Sequence, residues 1–312
     1  MEKTEENMNY KKIIKSRAFR IKVMQFLSFV PDSWVLKLQY RIKTGRKLNL
    51  KNPQRYSEKI QWYKLNYRNE LMPKCVDKWE VRKFVEECGL ASILNEVIGV
   101  YESPDDIDFG KLPEQFVLKD TLGGGGNSVI ICKNKASLDM ISAKQQMQQW
   151  VKPIRGKHPG REWVYDNAPH RIIIEKYIES EENKGGLIDY KFLCFNGKCE
   201  FVYVIANRKL GCEAELGIFS PEFEKLPYER CDEHFLNRVI PKPANWSELL
   251  RTAEKLSGAF PHARIDLYNQ SEKILFGEIT FFDGSGYVMF DPDEFDYLIG
   301  DKFILPQRNS KK

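Results

Sequence analysis

Residues 263–286 read ARIDLYNQSEKILFGEITFFDGSG, and this stretch decides how the chain is read. Arg264, Asp266 and Tyr268 alternate along one apolar segment, so they share a face if it is a strand. A turn follows at residues 269–272. The returning strand ILFGEIT separates Leu275, Gly277 and Ile279 from Phe276, Glu278 and Thr280. In-register pairing brings Asp266 and Glu278 to one point with Arg264 beside them. Two facing carboxylates on near-apolar strands are costly unless a cation lies between them. A hard divalent ion held by one or two carboxylates plus substrate phosphates removes that cost. The alternative is a solvated hairpin face carrying an Arg–Asp pair, since hairpins often carry charges.

The rest of the composition is that of a globular chain. The 312 residues are 42% hydrophobic and 30% charged, enough for one large domain or two to three packed subdomains. No apolar run approaches the ~20 residues of a membrane span, because VMQFLSFVPDSWVL is interrupted by Pro31 and Asp32. The first ten residues are polar and acidic, without the apolar core of a secretory signal, so the chain is expected in the cytoplasm. Seven cysteines are scattered without any C-x-x-C spacing, which points to free thiols in a reducing compartment.

Charge is unevenly distributed. Residues 11–51 hold twelve Lys or Arg (Lys11, Lys12, Lys15, Arg17, Arg20, Lys22, Lys37, Arg41, Lys43, Arg46, Lys47, Lys51) against Asp32 alone. The segment is therefore +11 in a chain of net +5, with residues 1–10 at −2 and the remainder at −4. Val23, Phe26, Leu27 and Val30 recur at helical spacing, then Trp34, Val35, Leu38 and Ile42 in a second helical stretch. This basic amphipathic region, residues 1–50, is expected to pack on its own domain or to lie on an anionic membrane surface. Nucleic acid is excluded as a partner, because the body is mildly acidic and contains no binding module.

Along the body, SEKIQWYKLNYRN reads as a helix with Ile60, Tyr63 and Tyr67 on its apolar side and Ser57 as cap. VDKWEVRKFVEECG is a second helix, with Val76, Trp79, Phe84 and Val85 near helical period and Gly89 as its stop. ILNEVIGVY, QFVLKD, SVIIC and RIIIEKYI read as strands. A polar helix spans 137–150, and DYKFLCFNGKCEFVYVIA forms a hairpin turning at Asn196-Gly197. WSELLRTAEKLSGAF is a helix opened near Asn245 and Ser247. Strands mixed with helices, without steady βαβ alternation, define an α+β protein.

FVLKDTLGGGGNSVIIC is the other informative stretch. Lys119 ends a strand, and Gly123, Gly124, Gly125 and Gly126 make the turn. Glycine lets backbone N–H groups approach a phosphate closely, and a lysine at the strand end adds a point charge. No Lys-Ser/Thr pair follows the glycines, so this is not a Walker loop. By itself it also reads as a flexible hairpin tip. RIIIEKYIES carries Glu175, Lys176, Tyr177 and Ile178 at a strand exit, followed by Glu181 and Glu182. Asp189 and Lys191 share one strand face, as a surface ion pair also would.

The order of these pieces resembles the ATP-grasp superfamily. Lys78 in VDKWEVRK, Lys119 before the glycine loop, EKYI, Lys191, and then R-x-D with an acid twelve residues on follow its pattern. LNLKNPQRYSEKIQWYKL, DYKFLCFNGK and FGEITFF resemble more specifically its teichuronopeptide-biosynthesis-like (TupA-like) branch, over about residues 45–305. The resemblance implies an α+β ATP-grasp fold, with two subdomains clamping ATP behind the basic helical region. It implies a helical or substrate subdomain over 51–110, a small subdomain over 111–180 and a large one over 181–306, with 307–312 as a disordered tail.

It also implies roles. Lys119 and the four glycines contact the phosphates, with Lys78 a looser match. Residues 175–178 form the adenine hinge, with Glu181 or Glu182 on the ribose. Lys191 reaches the phosphates from the other side. Asp266, Glu278 and Thr280 hold Mg²⁺, and Arg264 stabilises the transferring phosphoryl group. Two departures stand out: Thr280 replaces the Asn common after the second acid, and Leu122 stands where the branch often has His. The implied reaction is ATP-dependent joining of a carboxylate and an amine, on small molecules or glycans, in cell-surface or capsular polysaccharide synthesis. Arg155, His158, Arg161 and Arg208 lie in polar stretches that are candidates for acceptor binding. A glycosyltransferase of the same pathways and a membrane-associated nucleotide-binding protein are the competing readings.

Overall fold

The computed structural model describes residues 29–124, 128–153, 156–179, 187–206 and 214–307. Two sheets organise them, antiparallel but for one short parallel pairing at the edge of the larger. In the smaller, β1 (Val97–Tyr101), β4 (Ile172–Lys176), β2 (Phe116–Asp120) and β3 (Val129–Cys132) lie side by side in that order. Helix α5 (Met140–Trp150) covers one of its faces, burying Ala143, Met147 and Trp150 against Phe116, Leu118, Ile172 and Ile174. Asp139 caps that helix with its own carboxylate, accepting from the amides of Ile141 and Ser142.

The larger sheet runs β11 (Lys273–Thr280), β10 (His262–Gln270), β5 (Asp189–Phe195), β6 (Lys198–Ala206), β7 (Glu215–Phe219) and β9 (His234–Phe235). Alternation divides its central strands cleanly. Ala263, Ile265 and Leu267, with Tyr190 and Phe192, turn toward α6 (Trp246–Ser257), which buries Trp246, Leu249, Ala253 and Leu256. The opposite face is apolar at one end and charged at the other. At the apolar end Phe195 and His262 are covered by α2 (Tyr56–Asn66) and by Phe303, at the end of α7 (Glu294–Lys302). At the charged end lie Asp189, Lys191, Arg264 and Asp266. A minor two-stranded pairing of β8 (Glu229–Arg230) with β12 (Phe290–Asp291) closes the far edge.

Helices α3 (Met72–Val76) and α4 (Val81–Glu87) replace the single helix expected over VDKWEVRKFVEECG. Asp77 breaks it: its carboxylate accepts from the amides of Trp79 and Glu80, which leaves Trp79 outside either helix and 38% exposed. Ser57 is not a cap. Helix α2 begins at Tyr56, and Ser57 instead donates its hydroxyl and its amide to the buried carboxylate of Asp296.

The basic region joins the body from Asp32 onward. Helix α1 (Asp32–Thr44) buries Val35, Leu36, Tyr40 and Thr44, and Leu36 and Tyr40 pack with Leu48. Tyr40 hydrogen-bonds Ser57 of α2 at 2.8 Å, and Arg46 reaches Asp293 at 2.5 Å. The stripe Trp34, Leu38 and Ile42 points away from the body, at 70%, 58% and 45% exposure.

His262 is the polar member of the apolar end. It is fully buried, stacked on Phe195 at 4.7 Å, with ring nitrogens against Tyr56 Oη at 3.0 Å and the Cys194 carbonyl at 3.0 Å. Burial holds its pKa down at about 4. The unfolded chain, with histidine near 6.5, therefore binds more protons between pH 4 and 6.5. Stability is predicted to fall as pH drops through that window, by up to roughly 3 kcal/mol. Urea unfolding across pH 4–7 checks this, and a His262→Gln variant should show a flatter profile; an unchanged slope refutes it.

Candidate active site

The charged end of the large sheet is built by register. Glu278 of β11 stands opposite Asp266 of β10, Asp266 opposite Lys191 of β5, and Lys191 opposite Tyr203 of β6. One step along, Thr280 stands opposite Arg264. Residues directly opposite in an antiparallel sheet share a face, so this row forms one surface. The turn between β10 and β11 is held by Ser271 and Glu272, both at positive φ, which suits the strand twist.

A bulge sits inside this hairpin. The pairing slips between Asp266 and Leu267, so that Leu267 faces Phe276 and Gly277 is the extra residue. This corrects the simple alternation: Leu275 joins Tyr268 on the site face, Phe276 turns away, and Glu278 regains the site side. Glycine is required there, because a Cβ at 277 would stand 2.9 Å from the Asp266 carbonyl oxygen.

Arg264 is the hub. Its Nε donates to Asp266 Oδ1 at 2.7 Å, and its Nη2 donates to Asp266 Oδ2 at 2.8 Å, Thr280 Oγ1 at 3.0 Å and Glu278 Oε1 at 3.2 Å. Its Nη1 donates to Asp283 Oδ1 in a short contact. Lys191 lies on the other side of Asp266, in short contact with it and 2.9 Å from Asp189. Burial alone would raise the Asp266 carboxyl, but Arg264 and Lys191 outweigh that and hold it below the usual carboxylate range. Asp283 is fully buried and also held low, against burial, by Arg264 and Arg230. Glu278 is the open member, its side chain 40% exposed.

The small sheet supplies a second half. Lys119 of β2 and Glu175 of β4 point from one face and pair at 2.6 Å. Burial would raise the Glu175 carboxyl, and Lys119 turns the balance and lowers it. Lys78, at the break between α3 and α4, links the halves. Its Nζ donates to the Gly123 carbonyl at 2.5 Å, and its amide to the Thr121 carbonyl at 2.8 Å. Loss of hydration draws its ammonium below the usual lysine range while it feels Glu278 from one sheet and Lys119 and Glu175 from the other. Gly123 is sterically required, since a Cβ there would meet Ser128 Cβ at 2.5 Å, whereas Gly124 has open space. Gly125, Gly126, Glu181, Glu182, Arg155 and Arg208 lie outside the described residues.

Three expected residues are placed differently from the rest. The Lys176 side chain is exposed and pairs with Glu96 at 3.4 Å, on the side away from Lys119. Its amide and carbonyl are engaged by Glu96 and Asn95, so the strand-exit backbone groups beyond it belong to Tyr177 and Ile178. Arg161 is buried and turned to Asp32 of α1 at 3.4 Å, so it fastens α1 to the loop at 156–166 and does not face solvent. His158 is packed into that same loop, beside Tyr165.

Sequence reasoning missed Asp283, whose only signal was its position three residues after Thr280 in TFFDGSG. It also undervalued Asp189, which is fully buried rather than part of a surface pair. It missed Asp120, which orders the start of the glycine loop by accepting from Leu122 N at 3.0 Å and facing His170 Nδ1 at 2.9 Å.

Two sheets, each carrying a lysine paired with a carboxylate, with a glycine loop on the smaller and paired acids on the larger, are the parts of an ATP-grasp fold. The chain belongs to the TupA-like ATP-grasp family, which matches it over residues 58–304. No curated protein matches the sequence. Among solved structures it is similar to D-alanine–D-alanine ligase from Bacillus anthracis, at 20% identity over 67% of this chain and 57% of that one, with a TM-score of 0.41. The ligase of the same name from Helicobacter pylori gives 14% identity, 80% and 69% coverage, and a TM-score of 0.43. A biotin carboxylase from Campylobacter jejuni gives 14%, 76%, 48% and 0.41. The chain thus spans a little over half the length of the Bacillus anthracis enzyme.

Two substitutions test the geometry. Gly277→Ala should displace the Asp266 backbone and cost about 1–3 kcal/mol, read as a lower urea midpoint. Asp283→Asn leaves two buried guanidinium groups short of a counter-charge, and a loss of about 2–4 kcal/mol is expected in the same assay. A wild-type midpoint in either variant contradicts the packing described.

Proposed function

We propose that this ATP-grasp protein is an ATP- and Mg²⁺-dependent carboxylate–amine ligase of cell-surface or capsular polysaccharide biosynthesis. It joins an amino acid or amine to a sugar acid, and it works at the inner face of the membrane, which residues 11–51 engage. The observation that carries this reading is the pair of charged half-sites: Lys119 and Glu175 on one sheet, and Lys191, Arg264, Asp266 and Glu278 on the other.

The donor set fits the ion. Asp266, Glu278 and Thr280 offer hard oxygen atoms on one row of the sheet, and Glu278 opens to solvent. Four carboxylates, Asp189, Asp266, Glu278 and Asp283, face three cations, Lys191, Arg264 and Arg230, so a net negative charge is left for a divalent cation to balance. Asp266 and Glu278 would hold Mg²⁺, with Thr280 or water completing the shell. When bound, the ion neutralises the β- and γ-phosphates.

The protein's own residues do the rest by position and charge. Lys119 and the amides around Gly123 and Gly124 receive the phosphates, and Tyr177 and Ile178 present the strand-exit backbone to the base. A substrate carboxylate oxygen attacks the γ-phosphorus, the bond to the β-phosphate oxygen breaks, and ADP leaves with that electron pair. Arg264 and Lys191 neutralise the charge spread over the transferring group. An amine then attacks the acyl carbon of the acylphosphate, inorganic phosphate departs, and the amide remains after the nitrogen loses a proton. No nucleophilic side chain takes part.

The experiment is ADP release from ATP with and without candidate sugar acids, amines and nucleotide sugars. Acid- and amine-dependent ADP release is expected, and Asp266→Asn and Glu278→Gln should each lower it by at least about 100-fold, with Glu278→Gln, at the exposed member of the pair, retaining the wild-type melting temperature and Asp266→Asn lowering it. Glycosyl transfer without ATP consumption, or function retained in both variants, overturns the reading.

A further inference from the structure

Helix α1 is apolar on two opposite faces. Its inner face, Leu36, Tyr40 and Thr44 with Val35 at the edge, is buried against Leu48 and α2. A surface helix ordinarily needs no second apolar stripe. Yet Trp34, Leu38 and Ile42, four residues apart, line the outer face at 70%, 58% and 45% exposure. Lys37 and Arg41 stand between them on that face, both exposed. Asp32, the sole acid of residues 11–51, is turned inward, 2.8 Å from Lys157 and 3.4 Å from Arg161, so it offsets none of this charge.

We infer that this outer face is a docking surface for an anionic lipid bilayer. Trp34, Leu38 and Ile42 enter the boundary between headgroups and acyl chains, while Lys37 and Arg41 reach lipid phosphates. The inference rests on the peripheral location proposed above and names the residues that carry it out. Charge decides the occupant. A second copy of this chain would set Lys37 and Arg41 against the same residues of its partner. Residues 11–28 carry six Lys or Arg and no acid, so as a cover for α1 they too would bring like charge. Nucleic acid answers the charge but gives Leu38 and Ile42 nowhere apolar to go. An anionic bilayer answers both, and the six basic residues of 11–28 carry the sign of charge that such a surface attracts. No helix among the described residues is long and apolar enough to cross a membrane, so the contact is along the surface.

The test is co-sedimentation of the full chain with vesicles of phosphatidylcholine alone or mixed with phosphatidylglycerol. Binding to the mixed vesicles, weakened by salt, is expected. Trp34→Ser, Leu38→Ser and Ile42→Ser combined should weaken it at least about 10-fold, since each buried apolar side chain contributes on that scale. Lys37→Glu with Arg41→Glu should weaken it comparably. Because these side chains are exposed, melting temperature and ADP release should stay at wild-type values. Binding by wild type that the combined serine variant retains refutes this face while leaving the peripheral location intact. No binding by wild type refutes both. A dimer in light scattering that the serine variant dissociates, without lipid binding, makes the face a contact between copies. Loss of lipid binding leaves the ligase reading untouched, because ADP release is measured separately in solution.

Discussion

A guanidinium enclosed by carboxylates is the constraint around which the molecule is arranged. Arg264 is almost wholly buried, and its donors are taken up by Asp266, Asp283, Glu278 and Thr280. A buried charge is tolerated only with partners in good geometry. Here the partners come from two strands and a turn. β10 supplies Arg264 and Asp266, β11 supplies Glu278 and Thr280, and the turn at Asp283–Gly286 brings Asp283 back under the guanidinium. The chain then leaves Asp283 through left-handed backbone at Gly284, Ser285 and Gly286. Lys64 of α2 secures the turn by donating to the Ser285 carbonyl at 2.8 Å. The electrostatics of the large-sheet half-site and the docking of the helical region are therefore one structural problem.

Burial and function share the same sheet face by dividing it lengthwise. At one end, His262 and Phe195 are sealed by α2 and by Phe303. At the other lie Lys191 and Asp266, both buried, and Glu278, which is exposed to solvent. The bulge at Gly277 is what makes the division work on β11. It lets Leu275 cover Tyr268's side of the sheet while Glu278, three residues on, still points at Asp266. A regular ladder would have placed one of them on the wrong face.

Much of this was legible from residue order. The hairpin, its turn, the Asp266–Glu278 pairing, the Asn196-Gly197 turn and the strand carrying Lys119 follow from period-two alternation and turn chemistry, which are local properties. The failures have one local cause and otherwise long-range ones. Asp77 bonds the amides of Trp79 and Glu80, and no hydrophobic count reveals that competition with the helix. Ser57 looks like a cap because it precedes an apolar run, yet its hydroxyl is claimed by Asp296, 239 residues away in sequence. In α1 the spacing of Trp34, Leu38 and Ile42 is genuinely helical, but spacing cannot say which of two apolar stripes meets the core.

By itself, then, the sequence determined which residues could alternate, turn and carry charge, and through motif order the family to which they belong. Only the tertiary structure decided which charges meet. It put Asp283 beneath Arg264, sank Asp189 and Arg161, turned Lys176 outward, and set Lys78 between the two sheets. The physical reason is that pairing buried charges is a long-range matter. Whether a carboxylate is an exposed surface acid or a held counter-ion depends on what the chain brings within about 3 Å of it, and local pattern carries no record of that distance.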